Sequence, residues 1–136
     1  MKYLSLLAIL FSSSLYAVDI TTAEGIHIKS DFTTADFKNE ITEYNGNVIV
    51  TQENLIYEAD VIKEHRNNKL LSKLVGTGKP TVFINKLAID GELAKGTATK
   101  VTYMAEEGKV YLEGYTLTDV QGNTQTSEQG VFLLSE

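Results

Sequence analysis

The side chains that could carry out bond-making chemistry are few and widely spaced in this sequence. It contains two histidines, His27 and His65, and no cysteine. His27 lies on the polar side of an alternating stretch and His65 lies in a charged turn, and neither has a second ligand at the spacing of a zinc site. No Gly-x-Ser-x-Gly elbow is present, and the Gly76-x-Gly78 pair precedes no helix that would make it a phosphate loop. We therefore expect no metal site, no cofactor and no catalytic nucleophile.

The acidic residues also favour a binding protein over an enzyme. Glu92 and the pair Glu106-Glu107 lie in or beside predicted turns, where solvation is their simplest role. Asp31, Asp60 and Glu128 recur at corresponding places, and we expect them to accept hydrogen bonds from turn or bulge backbone N–H groups. A secreted carbohydrate-acting enzyme with paired carboxylates remains a weak alternative, because nothing in the spacing favours it.

A short β-motif occurs twice, and it is the strongest signal of the architecture that must position any site. The first copy lies within residues 44–60 and the second within residues 112–128. Internal repetition of strand pairs indicates one β-structure built from similar units, which binds along its length. The copies match at Gly46 with Gly114, Ile49 with Leu117, and Ala59-Asp60 with Ser127-Glu128.

The rest of the chain is typical of an all-β domain. Outside the first 17 residues no stretch holds a helical period, and Val, Ile, Thr, Tyr and Phe dominate the runs between turns. This pattern predicts a single-domain antiparallel sandwich, roll or barrel. We expect residues 18–25 to be frayed, Pro80 to stand at a strand start or bulge, and residues 85–91 to reverse the chain. Both faces of residues 110–120 are apolar, so the inward face of that strand stays open.

The first 17 residues have the features of a cleaved secretory signal peptide. A basic start is followed by a short apolar run and by Ala17 at a plausible cut site. An uncleaved anchor is the alternative, but the run is shorter than the roughly 20 apolar residues of a membrane span. Cleavage removes one lysine and no acid, which moves the net charge from −6 to −7. This charge argues against a nucleic-acid partner. The remaining domain would cover residues 18–136.

Five motifs follow one another along the chain: Ile26-His27-Ile28-Lys29-Ser30-Asp31, the run from Gly46 to Gln52, Ala59-Asp60, the run from Gly78 to Phe83, and Val101-Thr102-Tyr103. This ordered set resembles the OstA-like family of periplasmic lipopolysaccharide (LPS) transport proteins. The resemblance implies an open, twisted β-jellyroll whose two sheets form a V around an apolar groove. It also implies a carrier that bridges the inner and outer membranes. Such a carrier takes LPS by its lipid A acyl chains from an inner-membrane LptC-like protein and passes it to an outer-membrane LptD-like translocon. Its copies would stack head to tail by β-strand addition.

Strand alternation nominates twelve residues for an inward apolar face. The ordinary interpretation is a hydrophobic core, since alternation reports burial and not ligand contact. The resemblance favours lipid contact most at Phe83 and Tyr103, and also at Ile26 and Ile28. The predicted groove residues are Ile26, Ile28, Tyr44, Val48, Val50, Leu55, Tyr57, Ile62, Phe83, Val101, Tyr103 and Leu112.

Two sheet edges are expected to be unpaired within one chain, near residues 26–30 and 130–134. Exposed edges usually carry charge or proline, and the second segment has neither, which favours pairing with another chain. Pairing of that strand inside its own sheet is the alternative. A structural module that pairs edge to edge without a lipid site of its own is therefore a second functional hypothesis. The predicted partner contacts are His27, Lys29, Val131, Phe132, Leu133 and Leu134.

Overall fold

The fold is an all-antiparallel β-sheet, which confirms the predicted fold class. The computed structural model describes residues 17–52, 55–89 and 92–133, and within them it contains nine strands and no helix. Those ranges accordingly hold no helix with the length and hydropathy of a membrane span. Residues 1–16, which carry most of the predicted signal peptide, lie outside the described residues. The strands are β1 (Val18–Thr21), β2 (His27–Ser30), β3 (Phe32–Asp36), β4 (Ile41–Gln52), β5 (Leu55–Asn67), β6 (Leu70–Ile89), β7 (Glu92–Met104), β8 (Lys109–Asp119) and β9 (Thr124–Leu133).

The nine strands form one open sheet with mostly local connections. The order is β1-β2-β4-β5-β6-β7-β8-β9, and β3 pairs with β4 beside β2. β2 pairs with residues 49–51 of β4, whereas β3 pairs with residues 41–45. Each half of the long strand β4 therefore has a different neighbour on that side. Such sequential antiparallel pairing needs only short turns, as the sequence predicted.

Strand β8 changes its buried phase near the middle, and this explains the apolar character of both of its faces. Val110 and Leu112 are buried before the change, and Tyr115 and Leu117 are buried after it. Gly114 lies between the two pairs with φ +55°, a conformation that disfavours other residues. Both apolar sets of β8 consequently face the interior.

The two copies of the β-motif share a backbone conformation at their glycines, but corresponding side chains do not point to the same side of the sheet. Gly46 (φ +84°) and Gly114 both adopt positive φ, so the glycine match in the sequence has a conformational cause. In the first copy the register with β5 shifts between Asn45 and Val48. Val48 is buried in the same phase as Tyr44, whereas in the second copy the buried residue is Leu117, which matches Ile49.

Three local predictions have definite outcomes. Residues 18–25 were expected to be frayed, and this was wrong for Val18–Thr21, which forms β1. Pro80 lies where the β6–β7 register shifts between Thr77 and Thr81, so its predicted position at a bulge is confirmed. The reversal predicted at residues 85–91 was placed too early, because β6 continues to Ile89. Residues 90–91 themselves lie outside the described part.

Candidate functional site

The candidate site is the apolar interior of the folded sheet. Within the described residues, 17 buried apolar side chains form one contiguous cluster. The cluster draws on residue 26 and on β2, β4, β5, β6, β7 and β8, and it takes no residue from β1, β3 or β9. Burial of this size supplies the main driving force for folding, and it creates an environment with the polarity of hydrocarbon.

Most of the predicted groove residues meet in this cluster. Phe83 pairs with Tyr57 through its backbone, but its side chain lies outside what the structure describes. Tyr103 is partly buried and packs against the cluster from its margin. The ten others are core members: Ile26, Ile28, Tyr44, Val48, Val50, Leu55, Tyr57, Ile62, Val101 and Leu112.

Seven further core residues were not predicted. Tyr115 and Leu117 were missed because the phase changes at Gly114, and the match of Gly114 with Gly46 was the signal that could have shown it. Alanines carry too little apolar surface to stand out in an alternating pattern. The missed residues are Ala59, Leu71, Leu74, Ala98, Val110, Tyr115 and Leu117.

A rim of partly buried side chains connects the cluster to the surface along β7–β9. Tyr103, Ala105 and Phe132 pack against the buried residues. The ring of Phe132 meets that of Tyr115 edge to face, with centroids 5.6 Å apart and planes at 83°. Of the predicted β9 contacts, Val131 and Leu133 are exposed, Phe132 turns inward, and Leu134 lies outside the described residues.

A cavity of about 290 Å³ lies between β1, the first halves of β3 and β4, and the last residues of β5. The core cluster joins Ile28 of β2 to Tyr115 of β8, which lie near opposite ends of the sheet order, so the sheet curves back around its interior. The lining is apolar at Val18, Ile20 and Tyr44 and polar elsewhere. The complete lining is Val18, Ile20, Thr22, Thr33, Thr42, Tyr44, Glu64 and Arg66.

A polar network closes one side of this cavity. The Arg66 guanidinium donates two hydrogen bonds of 2.9 Å to the two carboxylate oxygens of Glu24, and it also donates to Glu64. The Tyr44 hydroxyl donates to Glu64 at 3.3 Å. Glu64 is only 4% exposed, so these two hydrogen bonds replace the water that its carboxylate loses on burial. Burial and the Glu64 carboxylate raise the pKa of Tyr44, which keeps its hydroxyl protonated as a donor.

The Glu24–Arg66 pair should persist in acid. The hydrogen bond from Arg66 lowers the pKa of Glu24 from its ordinary 4.5 to about 2. Because the folded-state pKa is depressed, the pair contributes its full stabilisation above pH 4.5 and loses it as the pH falls through 2. The backbone N–H of Leu71 donates to Glu24 at 3.3 Å and reports on this carboxylate. We expect the Leu71 amide resonance to titrate with a midpoint near pH 2. A midpoint near 4.5 would show that the pair does not form.

The predicted N-terminal edge is not an edge in this structure. His27–Ser30 pairs with β1 on one side, and residues 27–29 pair with β4 on the other. The expectation of an unpaired strand at residues 26–30 was therefore wrong, because four residues that were expected to fray cover it. His27 is held by a hydrogen-bond contact between its Nε2 atom and the Asp19 carboxylate. Its neighbour Lys29 remains exposed.

The other polar candidates are structural. Burial and the nearby Lys73 and Lys63 lower the pKa of His65, which makes it a poor cation. Asp31 accepts a hydrogen bond from the side-chain amide of Asn47 at 3.0 Å, instead of from the backbone donor that was expected. Within the three described ranges, no group of three or more His, Asp or Glu side chains could hold a metal ion.

Comparisons with known proteins agree on one family. A sequence model described as "LptA/(LptD N-terminal domain) LPS transport protein" matches residues 27–129. The lipopolysaccharide export system protein LptA of Escherichia coli K12 is 34% identical over 101 residues, which are 73% of this chain and 54% of that protein. The corresponding protein LptH of Pseudomonas aeruginosa PAO1 is 26% identical over 129 residues, or 93% of this chain and 73% of LptH.

A solved structure shows the same fold. The crystal structure of P. aeruginosa LptH, described as the periplasmic LptA-homologous component of the LPS transport device, superposes with a TM-score of 0.66 at 23% identity. It covers 78% of this chain and 73% of LptH. The chain spans about half the length of the E. coli relative. On the extent of the sequence match, this chain is a member of the LptA/(LptD N-terminal domain) family of LPS transport proteins.

Proposed function

We propose that this chain is a periplasmic carrier that shelters the acyl chains of LPS and passes the lipid towards the outer membrane. The observation that carries the proposal is the continuous apolar interior, which reaches the surface at the rim of Tyr103, Ala105 and Phe132. Family membership supports LPS as the cargo. The chain would be exported by a signal peptide that is cleaved after Ala17, and it would act without making or breaking a bond.

The energetic role of the interior is to replace the membrane as a solvent. Each CH₂ group moved from water into an apolar environment gains about 0.8 kcal/mol, so an acyl chain strongly prefers such an interior to the periplasmic solution. Ile28, Val48 and Ile62 have no exposed surface, and the cavity beside β1 is about 290 Å³. Loading therefore requires the curved sheet to open, beginning at the cavity or at the rim.

Pairing with strands of partner proteins would supply the route along which LPS passes from one protein to the next. β9 pairs with β8 alone among the described strands, so its outer edge is free for addition of another strand. Gly130, Val131, Phe132 and Leu133 carry none of the charges that usually protect such an edge. The proposed partners are an inner-membrane LptC-like protein, an outer-membrane LptD-like translocon and further copies of this chain, stacked head to tail.

Site-specific photo-crosslinking tests the carrier function. A photoreactive phenylalanine analogue at Tyr103, which packs against the cluster, should capture LPS in cells that assemble an outer membrane. The matched control is the same analogue at Tyr111 on the neighbouring strand. Tyr111 pairs with Thr102, on the opposite face of the sheet, and its hydroxyl donates to Glu107. We expect capture at Tyr103 to exceed capture at Tyr111 at least about tenfold, because alternate residues face opposite sides of a strand.

The same experiment separates the carrier from the structural module without a lipid site. The complete burial of Ile28, Val48 and Ile62 is the observation that favours the module. Equal or absent LPS capture at the two tyrosines, in a variant that still folds, would contradict the carrier and favour the module. Hydrolysis of cell-wall glycans by the purified chain would instead contradict the expectation that it is not an enzyme.

A further inference from the structure

β1 occupies the edge of β2 that would otherwise end the sheet. Four residues pair in register, from Val18 with Ser30 to Thr21 with His27. Asp19 and His27 add a side-chain hydrogen-bond contact across the two strands. The backbone groups on this side of β2 are therefore already used within the chain.

The connection between β1 and β2 is tied to a distant strand. Glu24 lies in this connection and accepts both guanidinium hydrogen bonds of Arg66, which lies 42 residues later near the end of β5. Glu24 also accepts the Leu71 backbone N–H. The Thr22 hydroxyl accepts the backbone N–H of Ile26 at 3.1 Å. These contacts hold the connection closed over one end of the interior.

β1 is nevertheless weakly held in the sheet. It has four residues, three of them exposed, and it contributes no side chain to the 17-residue core cluster. Its remaining apolar contacts are those of Val18 and Ile20 with the cavity. Elements with few buried contacts open at low free-energy cost. Detachment of β1 would therefore expose the edge of β2 and leave the core cluster intact.

We propose that β1 is a displaceable cap on the edge of β2, latched by Glu24–Arg66, and that it must leave before a second copy of this chain can pair there. This inference rests on the proposed strand-addition function and adds its regulation. The incoming strand is β9 of the second copy, because β1 and β9 are the two ends of the sheet and departure of β1 would leave β2 as the end opposite β9. Glu128 is the one charged residue of β9, and it would meet a β2 edge that carries His27 and Lys29. Such a contact is heterologous and extends the sheet from copy to copy.

A reversible lock on the cap tests the proposal. The chain has no cysteine, so Asp19→Cys with Lys29→Cys would place a single disulfide between two exposed residues that pair directly. Paired residues of neighbouring antiparallel strands are about 4.5–5.5 Å apart at Cα, which is within disulfide range. Sedimentation of the full mature chain should show oligomers when this variant is reduced and monomers when it is oxidised. The reduced and oxidised forms of one protein are matched controls for each other.

Weakening the latch should have the opposite effect. Glu24→Gln removes the charge that Arg66 binds, so the uncapped state becomes more populated and self-association should strengthen about tenfold. Glu106→Gln makes the same charge change at an exposed turn and should leave association unchanged. Leu133→Asp, which adds a charge to the free strand β9, should abolish association in the reduced and latch-weakened proteins.

Two outcomes would contradict the proposal that β1 caps the edge of β2. Oxidised and reduced proteins that associate equally would show that β1 does not block the edge, while the bridging function would stand. Absence of association in every form would also overturn it, because no second copy then uses the β2 edge. LPS capture at Tyr103 is a separate measurement, and its loss would contradict the carrier function without bearing on the cap.

Discussion

Arg66→Ala is expected to lower the free energy of unfolding by about 3–5 kcal/mol, the cost of leaving a buried charge without its partner. Glu64 is only 4% exposed and retains a single weak donor, the Tyr44 hydroxyl at 3.3 Å. Glu24 contributes less to the loss, because its carboxylate can return to water. The effect therefore comes mainly from desolvation of Glu64.

Urea unfolding followed by circular dichroism measures this change. Arg66→Lys keeps the positive charge but loses the forked geometry that serves Glu24 and Glu64 together, so an intermediate loss is expected. Combining Arg66→Met with Glu64→Leu should recover most of the stability, because apolar replacements for a buried ion pair are often neutral. A loss below about 0.5 kcal/mol for Arg66→Ala would show that Glu64 is not dependent on Arg66.

Gly96→Ala is expected to destabilise the fold by about 3 kcal/mol or more through backbone overlap. Gly96 lies in β7 and pairs with Leu117 of β8. A Cβ atom at this position would lie 1.9 Å from the carbonyl oxygen of Thr116 and 2.9 Å from the Cα of Leu117. Neither atom belongs to a flexible side chain, so β7 and β8 would have to separate beside the core residues Ala98 and Leu117.

Gly108→Ala is the matched control for this variant. Gly108 lies in the β7–β8 turn, and a Cβ atom there would have no neighbour within 4 Å. Its φ of +65° makes alanine strained, and the expected cost is about 1–2 kcal/mol. Thermal unfolding of the two variants should therefore show the larger loss for Gly96→Ala. Equal melting temperatures would mean that the two strands are not in close contact at Gly96.

Local sequence pattern was sufficient for the fold class and for most of the interior. Alternation placed Val48, Val50 and Val101 inside, because side chains on a strand point to opposite faces in turn. It failed for Tyr115 and Leu117, where Gly114 changes the phase within one strand. The positions of such changes depend on how neighbouring strands bend together, and a single-strand pattern does not contain that information.

The sequence by itself determined an all-β chain with an apolar interior, few groups suited to catalysis and a resemblance to LPS transport proteins. Tertiary structure decided what closes that interior. Glu24 and Arg66 are 42 residues apart, and neither is distinctive in its own segment. The sequence of β1 predicts a polar, frayed segment. It forms a strand because the edge of β2 offers backbone hydrogen-bonding groups with which it can pair. The Glu24–Arg66 pair and the β1–β2 pairing join groups that meet only after the sheet has curved back on itself. The periodicity of a single segment therefore cannot predict them.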